Sequence, residues 1–177
     1  MEQAPSTTLT PGPKNGVHFN VPIDRETKVV TVPGDPLLHK VRARRFGSLM
    51  KPYTVKKKKS VDELDSVHLS SFYLEVTEEA IAQEDRDDLG FVESVTLMMR
   101  SLDDTSDLPV IEVAWYDQPW DVDAAPQVLE FDVDSDTELL PYFKTGFQLY
   151  TDSIHLVPPD DVSLKGYILF MGEHVVL

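Results

Sequence analysis

The residues best spaced for chemistry are carboxylates. Asp132-Val133-Asp134-Ser135-Asp136-Thr137-Glu138 offers a side-chain oxygen at every second position, a spacing that suits a hard cation such as calcium. The string departs from the EF-hand loop, because Thr137 stands where that loop needs Gly and Phe143 where it needs a bidentate Glu. Along a strand, alternate acids also emerge on one face. Asp132, Asp134, Asp136 and Glu138 therefore read first as a solvated strand edge and second as a calcium site, and no resident cofactor is expected. Asp117, Asp121 and Asp123 beside Trp115, Tyr116 and Trp120 form a second acidic loop, whose aromatic rings could stack on a sugar. Trp115 is in phase with Ile111 and Val113, which assigns it to the core and leaves Trp120 as the exposed ring. His18, His39, His68, His155 and His174 show neither HxH nor HExxH spacing, so each reads as a surface or half-buried strand residue. There is no GxSxG elbow, and Gly47, Gly90, Gly146 and Gly166 stand alone rather than in a phosphate-binding loop. Neither an enzyme nor a small-molecule substrate is expected.

The charge pattern is more specific than any motif. The 177 residues carry a net charge of −15, which hides a basic segment. Between residues 38 and 59 lie Lys40, Arg42, Arg44, Arg45, Lys51, Lys56, Lys57, Lys58 and Lys59 with no acid, a charge of +9. Residues 60 to 177 hold 4 basic and 27 acidic residues, a charge of −23. Such a strap attracts an anionic partner: another acidic protein surface, a membrane or nucleic acid. It can also lie on its own acidic body. Near an anionic membrane each Lys or Arg contributes roughly 1 kcal/mol. Only Phe46 and Tyr53 accompany the charges, too few rings for base stacking, so sequence-specific reading of nucleic acid is not expected.

These features need elements to carry them. The length suits one domain, and 41% hydrophobic residues can fill its core. Residues 1–15, rich in Pro, Thr and Ser, read as an extended arm; residues 16–59 as edge strands and the basic strap; residues 60–177 as the acidic core of the same domain. Val17, Phe19 and Val21 alternate with polar neighbours, and Pro22 confines that strand to an edge or an end. Leu37, Leu38, Val41, Phe46, Leu49 and Met50 are near helical spacing, interrupted by Gly47 and Pro52, which predicts a short irregular helix or an extended strap.

From Val67 onward the apolar period is two. Val67 and Leu69 share one face while Phe72, Leu74 and Val76 share the other, so a β-bulge is expected at Ser70-Ser71. Thr77 to Asp88 reads as a solvated acidic loop, and Asp136 to Phe143 as one helical turn with Pro141 in its first turn or at its end. The count is seven to nine strands without long helical periods, which predicts an all-β chain, an antiparallel sandwich or jelly roll. The predicted core is Val95, Leu97, Ile111, Val113, Trp115, Leu129, Phe131, Leu149, Leu164 and Ile168.

The runs VPID with TVPGDPL, VDELDSVHLSSFYLEVT, LGFVESVTLMM, LPVIEVAW, ELLPYFKTGF and PPDDVSLKGYILF are strand and turn signatures. Over residues 16–177 they make the chain similar to a group of small uncharacterised β-sandwich lipoproteins of predatory and gliding proteobacteria such as myxobacteria. That resemblance implies a sandwich and an envelope-associated, non-enzymatic module. The chain has no cysteine to carry a lipid, no signal-peptide pattern at its start and no run of eighteen apolar residues.

The expected function is a structural or interaction subunit, docked by its arm and strap against other protein subunits, itself in an oligomer among them. A virion coat whose basic arm faces genome or an internal membrane is the alternative, and a calcium- or carbohydrate-binding module the third. The expected setting is accordingly the envelope or a virion.

Overall fold

The computed structural model describes residues 9–11, 17–26, 29–57, 59–77, 87–119 and 125–176. The acidic loop 78–86, Lys58, Trp120, Asp121, Asp123 and most of the arm lie outside them.

The chain is an antiparallel β-sandwich of two six-stranded sheets. In chain order the strands are β1 (Leu9–Pro11), β2 (Val17–Glu26), β3 (Val30–Val32), β4 (Arg44–Gly47), β5 (Tyr53–Val55), β6 (Ser66–Val76), β7 (Val92–Ser101), β8 (Ile111–Asp117), β9 (Val128–Glu130), β10 (Asp132–Val133), β11 (Phe147–Leu156) and β12 (Val162–Val176). Two short helices, α1 (Pro36–Lys40) and α2 (Leu140–Thr145), and a 3-10 turn (Lys59–Glu63) complete the elements among the described residues. Residues 9–11, expected in the arm, pair with β2. The basic segment, expected as a short irregular helix or an extended strap, is the short helix α1 followed by the strands β4 and β5.

The pairing is nested. The early strand β2 bonds the last, β12; β4 bonds β11; β6 bonds β9; and β7 bonds β8, all antiparallel. The four pairs alternate between sheets, giving β2-β12-β6-β9 in one and β8-β7-β11-β4 in the other. A long hairpin rolled up in this way is the eight-stranded jelly roll. The remaining strands are its accessories. β3 continues the line of β2 along β12, pairing Val32 with Val162, and β5 continues β4 along β11, pairing Val55 with Phe147. β10 lets the chain leave β9 and join the second sheet beside β8. Among the described residues β1 covers only Val17 to Phe19, so Pro22 lies beyond it on an uncovered stretch of β2, the kind of position where a strand tolerates proline.

Bulges set which residues face the core. Leu169 pairs with Ser71 and Phe170 with Leu69, leaving Ser70 as the extra residue and allowing Val67, Leu69, Phe72, Leu74 and Val76 all to be buried, as the phase switch predicts. A second bulge lies between β7 and β8: Leu97 opposes Ala114 while Met98 opposes Glu112, so Val113 is extra. Val113 and Ala114 are consequently both buried, and Trp115 is turned outward at 41% exposure. This corrects the assignment of Trp115 to the core. Ile111 is half-buried against the core, and the other eight predicted core residues are buried within it.

Phe131, at the switch between sheets, packs against Phe72 at 4.4 Å and Tyr116 at 5.9 Å between ring centroids. Phe143, Phe147 and Phe170 close the far side of the core. The helix α2 begins one turn later than predicted, with Pro141 in its first turn. Phe131→Ala is expected to destabilise the domain by about 3–5 kcal/mol, measured by denaturant unfolding. A loss near zero would place this ring in solvent.

A candidate docking edge

Each part of the basic segment is fixed to the sandwich. Asp35 caps α1, its Oδ1 accepting from the backbone N–H of Leu37 at 2.9 Å and Leu38 at 3.2 Å, and Pro36 supplies a preset helical φ. The turn before it admits no side chain at Gly34, where a Cβ would fall 2.1 Å from the backbone of Asp160. The helix stops after five residues, and Arg42, two beyond its end, takes a left-handed φ of 53°. The Val157 N–H donates to Ala43 O at 2.9 Å, and the His39 Nδ1 lies 3.1 Å from Val157 O. None of α1 is buried.

β4 then pairs with β11, Arg45 opposite His155 and Phe46 opposite Ile154. Gly47, at φ 127°, turns the chain out of β4. Its carbonyl accepts from Ser153 Oγ at 2.6 Å, and Thr151 Oγ1 accepts from the N–H of Leu49 and of Met50. Leu49 and Met50 are thereby buried as a plug between β4 and β5.

The charges remain outside. Lys40, Arg42, Arg44, Lys51, Lys56, Lys57 and Lys59 are exposed and Arg45 half-buried. Arg44 Nε bonds Glu93 Oε1 at 2.9 Å, because Glu93 is the extra residue of a bulge between β7 and β11 and is aimed out toward β4. Lys57 lies 3.4 Å from Asp62, and Arg45 donates to Pro33 O. Among the described residues Lys40, Arg42, Lys51, Lys56 and Lys59 make no ion pair with an acid. Two pairs this exposed contribute about 0–1 kcal/mol each, which is little for a +9 segment. Three large apolar side chains stand among the charges: Leu37, Val41 and Phe46, each more than 70% exposed. β4 ends its sheet, so it also offers an unpaired strand edge.

Between β3 and β4 a cleft of about 360 Å³ is lined by Val32, Pro33, Arg45, Met50 and His155. The sequence predicts a surface or half-buried histidine at this position, but His155 is 4% exposed, edge-on to Phe91 and 3.2 Å from Ser153 Oγ. No spacing rule marks it; its only signal is its place in the alternation of β11. Burial, and secondarily the charge of Arg45, hold its pKa below the ordinary value of 6.5.

Two of the acids whose spacing suits calcium also do structural work. Asp134 closes its own turn, with Oδ1 accepting from the N–H of Asp136 and Thr137 and Oδ2 from the Thr137 hydroxyl at 2.6 Å. These bonds lower its pKa, that of the Thr137 hydroxyl most. Glu138 Oε1 accepts from Val67 N–H and Leu140 N–H, both at 2.8 Å, which ties β6 to the start of α2. Asp132 and Asp136 are exposed, and the described residues contain no group of three His, Asp or Glu able to share an ion. Of the residues chosen for sugar stacking, Trp120 lies outside the described residues.

Fold and site together define an eight-stranded jelly-roll sandwich with a basic edge. No family model matches the chain, and no curated protein matches it. Among solved structures, the cryo-EM structure of mud crab tombus-like virus is similar at 10% identity, over 100% of this chain and 95% of that chain, with a TM-score of 0.31. The jelly-roll assignment rests on the nested strand pairing and not on that likeness.

His155 makes the edge acid-sensitive. Its folded pKa is lowered, so below about pH 6.5 the unfolded chain takes up the proton first, and stability is lost as pH falls toward the folded value. The unfolding midpoint should therefore drop between about pH 7.5 and about pH 5, and drop less in His155→Leu. Equal drops would mean the ring is not held neutral.

Proposed function

We propose that the protein is a non-catalytic assembly subunit that docks through the edge formed by α1, β4 and β5 onto an anionic partner surface. The observation that carries this reading is the concentration of exposed Lys and Arg, with Leu37, Val41 and Phe46 among them, on one edge of a rigid sandwich. Apolar side chains ringed by charge are the composition of a docking surface, with the former burying area and the latter setting orientation and on-rate. Residues 1–15 are the second docking element in this reading.

A specific observation favours one setting. The complete jelly-roll pairing is an architecture used by viral capsid domains, and also by lectins and cupins, so a virion coat is the second reading. Copy number separates it from an envelope module. Closed shells of many copies in electron micrographs of the purified chain would establish a coat, and one or a few copies on a membrane would exclude it.

The docking reading is tested with heparin as a polyanionic probe on the full chain. Despite the net charge of −15, wild type should bind at low salt and release at about 1 M, where the Debye length is about 3 Å. The combined change of Lys40, Arg42, Lys51 and Lys56 to Ser should abolish binding and leave the melting temperature in place. A lowered melting temperature with heparin binding unaltered would make the segment an internal clamp.

A further inference from the structure

We infer that the partner at this edge is a second copy of the chain, whose acidic β8–β10 edge seats head to tail against α1, β4 and β5. The inference deepens the docking reading and rests on it. Its support is how charge is distributed across one sheet. In the order β10-β8-β7-β11-β4 the basic segment forms one edge and β10 the other. Between residues 101 and 143, which supply β8, β9 and β10, there are twelve acids and neither Lys nor Arg. Between residues 38 and 59 there are nine basic residues and no acid. The two segments are thus opposite in sign, and Glu93 and Asp62 offset only part of the basic one.

They cannot satisfy each other within one molecule. Four inter-strand spacings of about 4.8 Å separate them by roughly 19 Å, more than twice the Debye length of about 8 Å at physiological salt. A neighbouring copy brings them into contact. Glu112, Asp117 and Asp132 are exposed on the acidic edge, and the bulge at Val113 places Trp115 outward between them, paired across the strands with Asp132. Val110 and Trp115 on that edge, 52% and 41% exposed, match Leu37, Val41 and Phe46 on the other. Each edge therefore presents apolar side chains among charges that are mostly of one sign.

Such a contact is heterologous. Every copy that engages its basic edge still presents an acidic one, so association proceeds past the dimer until a ring or shell closes.

The test exchanges the signs one edge at a time. In the full chain, Lys40→Glu, Arg42→Glu, Lys51→Glu and Lys56→Glu together cut the charge of the basic segment from +9 to +1; Glu112→Lys, Asp117→Lys and Asp132→Lys together reverse the exposed acids of β8 and β10 and halve the charge of that stretch from −12 to −6. Sedimentation velocity should show wild type associating beyond a dimer and dissociating with salt, each variant alone monomeric, and an equimolar mixture of the two reassociating at 1:1. Circular dichroism and melting temperature confirm that each variant is folded, and a milder pair, Lys51→Ser and Asp132→Ser, should weaken association without reversal. Wild type that stays monomeric yet binds heparin overturns this inference alone and leaves the docking reading standing. Association that survives reversal of the acidic edge, or a mixture that fails to reassociate, also overturns it.

Discussion

Strand β11 is paired along both sides, with β7 throughout and with β4 and β5 in two pieces on the other. This ladder constrains everything that concerns function. It converts residues 44–55 from a loose cationic strap into the end strand of a sheet, and so decides where the charges can be. The bonds that reinforce it come from β11 itself: Thr151 holds Leu49 and Met50, and Ser153 holds Gly47. His155, from the same strand, is sealed beneath Arg45. A segment fixed at so many points has given up its conformational entropy on folding, and a partner that docks on it has little further ordering cost to offset.

Electrostatic range follows from that placement. A mobile strap could reach any acidic surface of its own molecule, whereas an edge strand reaches only its neighbours. Arg44 finds Glu93 and Lys57 finds Asp62, both at the surface and both weak. The acidic edge of β8 and β10 lies across the sheet, beyond the screening length. Excess charge at the two edges, rather than any single side chain, is what a partner would read. The acids that looked like metal ligands are divided by the same geometry: Asp134 and Glu138 are spent on backbone N–H groups, while Asp132 stays on the exposed edge.

The sheets were legible because one face of each strand is buried and the other is not. The bulge at Ser70 was legible for the same reason, since the apolar phase reverses there. The bulge at Val113 was not, because Val113-Ala114-Trp115 reads equally well in either phase, and a tryptophan in phase with Ile111 is normally buried. In the basic segment the near-helical spacing of Leu37, Leu38, Val41, Phe46, Leu49 and Met50 marks the short helix over residues 36–40 but not the strands β4 and β5. Its true partner, β11, lies about 100 residues further on, and no local pattern records such a pairing. The opposed edges were hidden likewise, for sheet order is a property of the fold and not of the chain.

The central claim is that the β4 edge is an interface. Amide hydrogen exchange of residues 44–47 in the full chain, followed as salt is raised, addresses it directly. The account predicts that the β4 amides not bonded to β11 are protected at low salt and lose that protection with added salt, while the amides bonded to β11, and those of β7 and β12, stay protected throughout. Protection of the β4 amides not bonded to β11 that is the same at every salt concentration would contradict it.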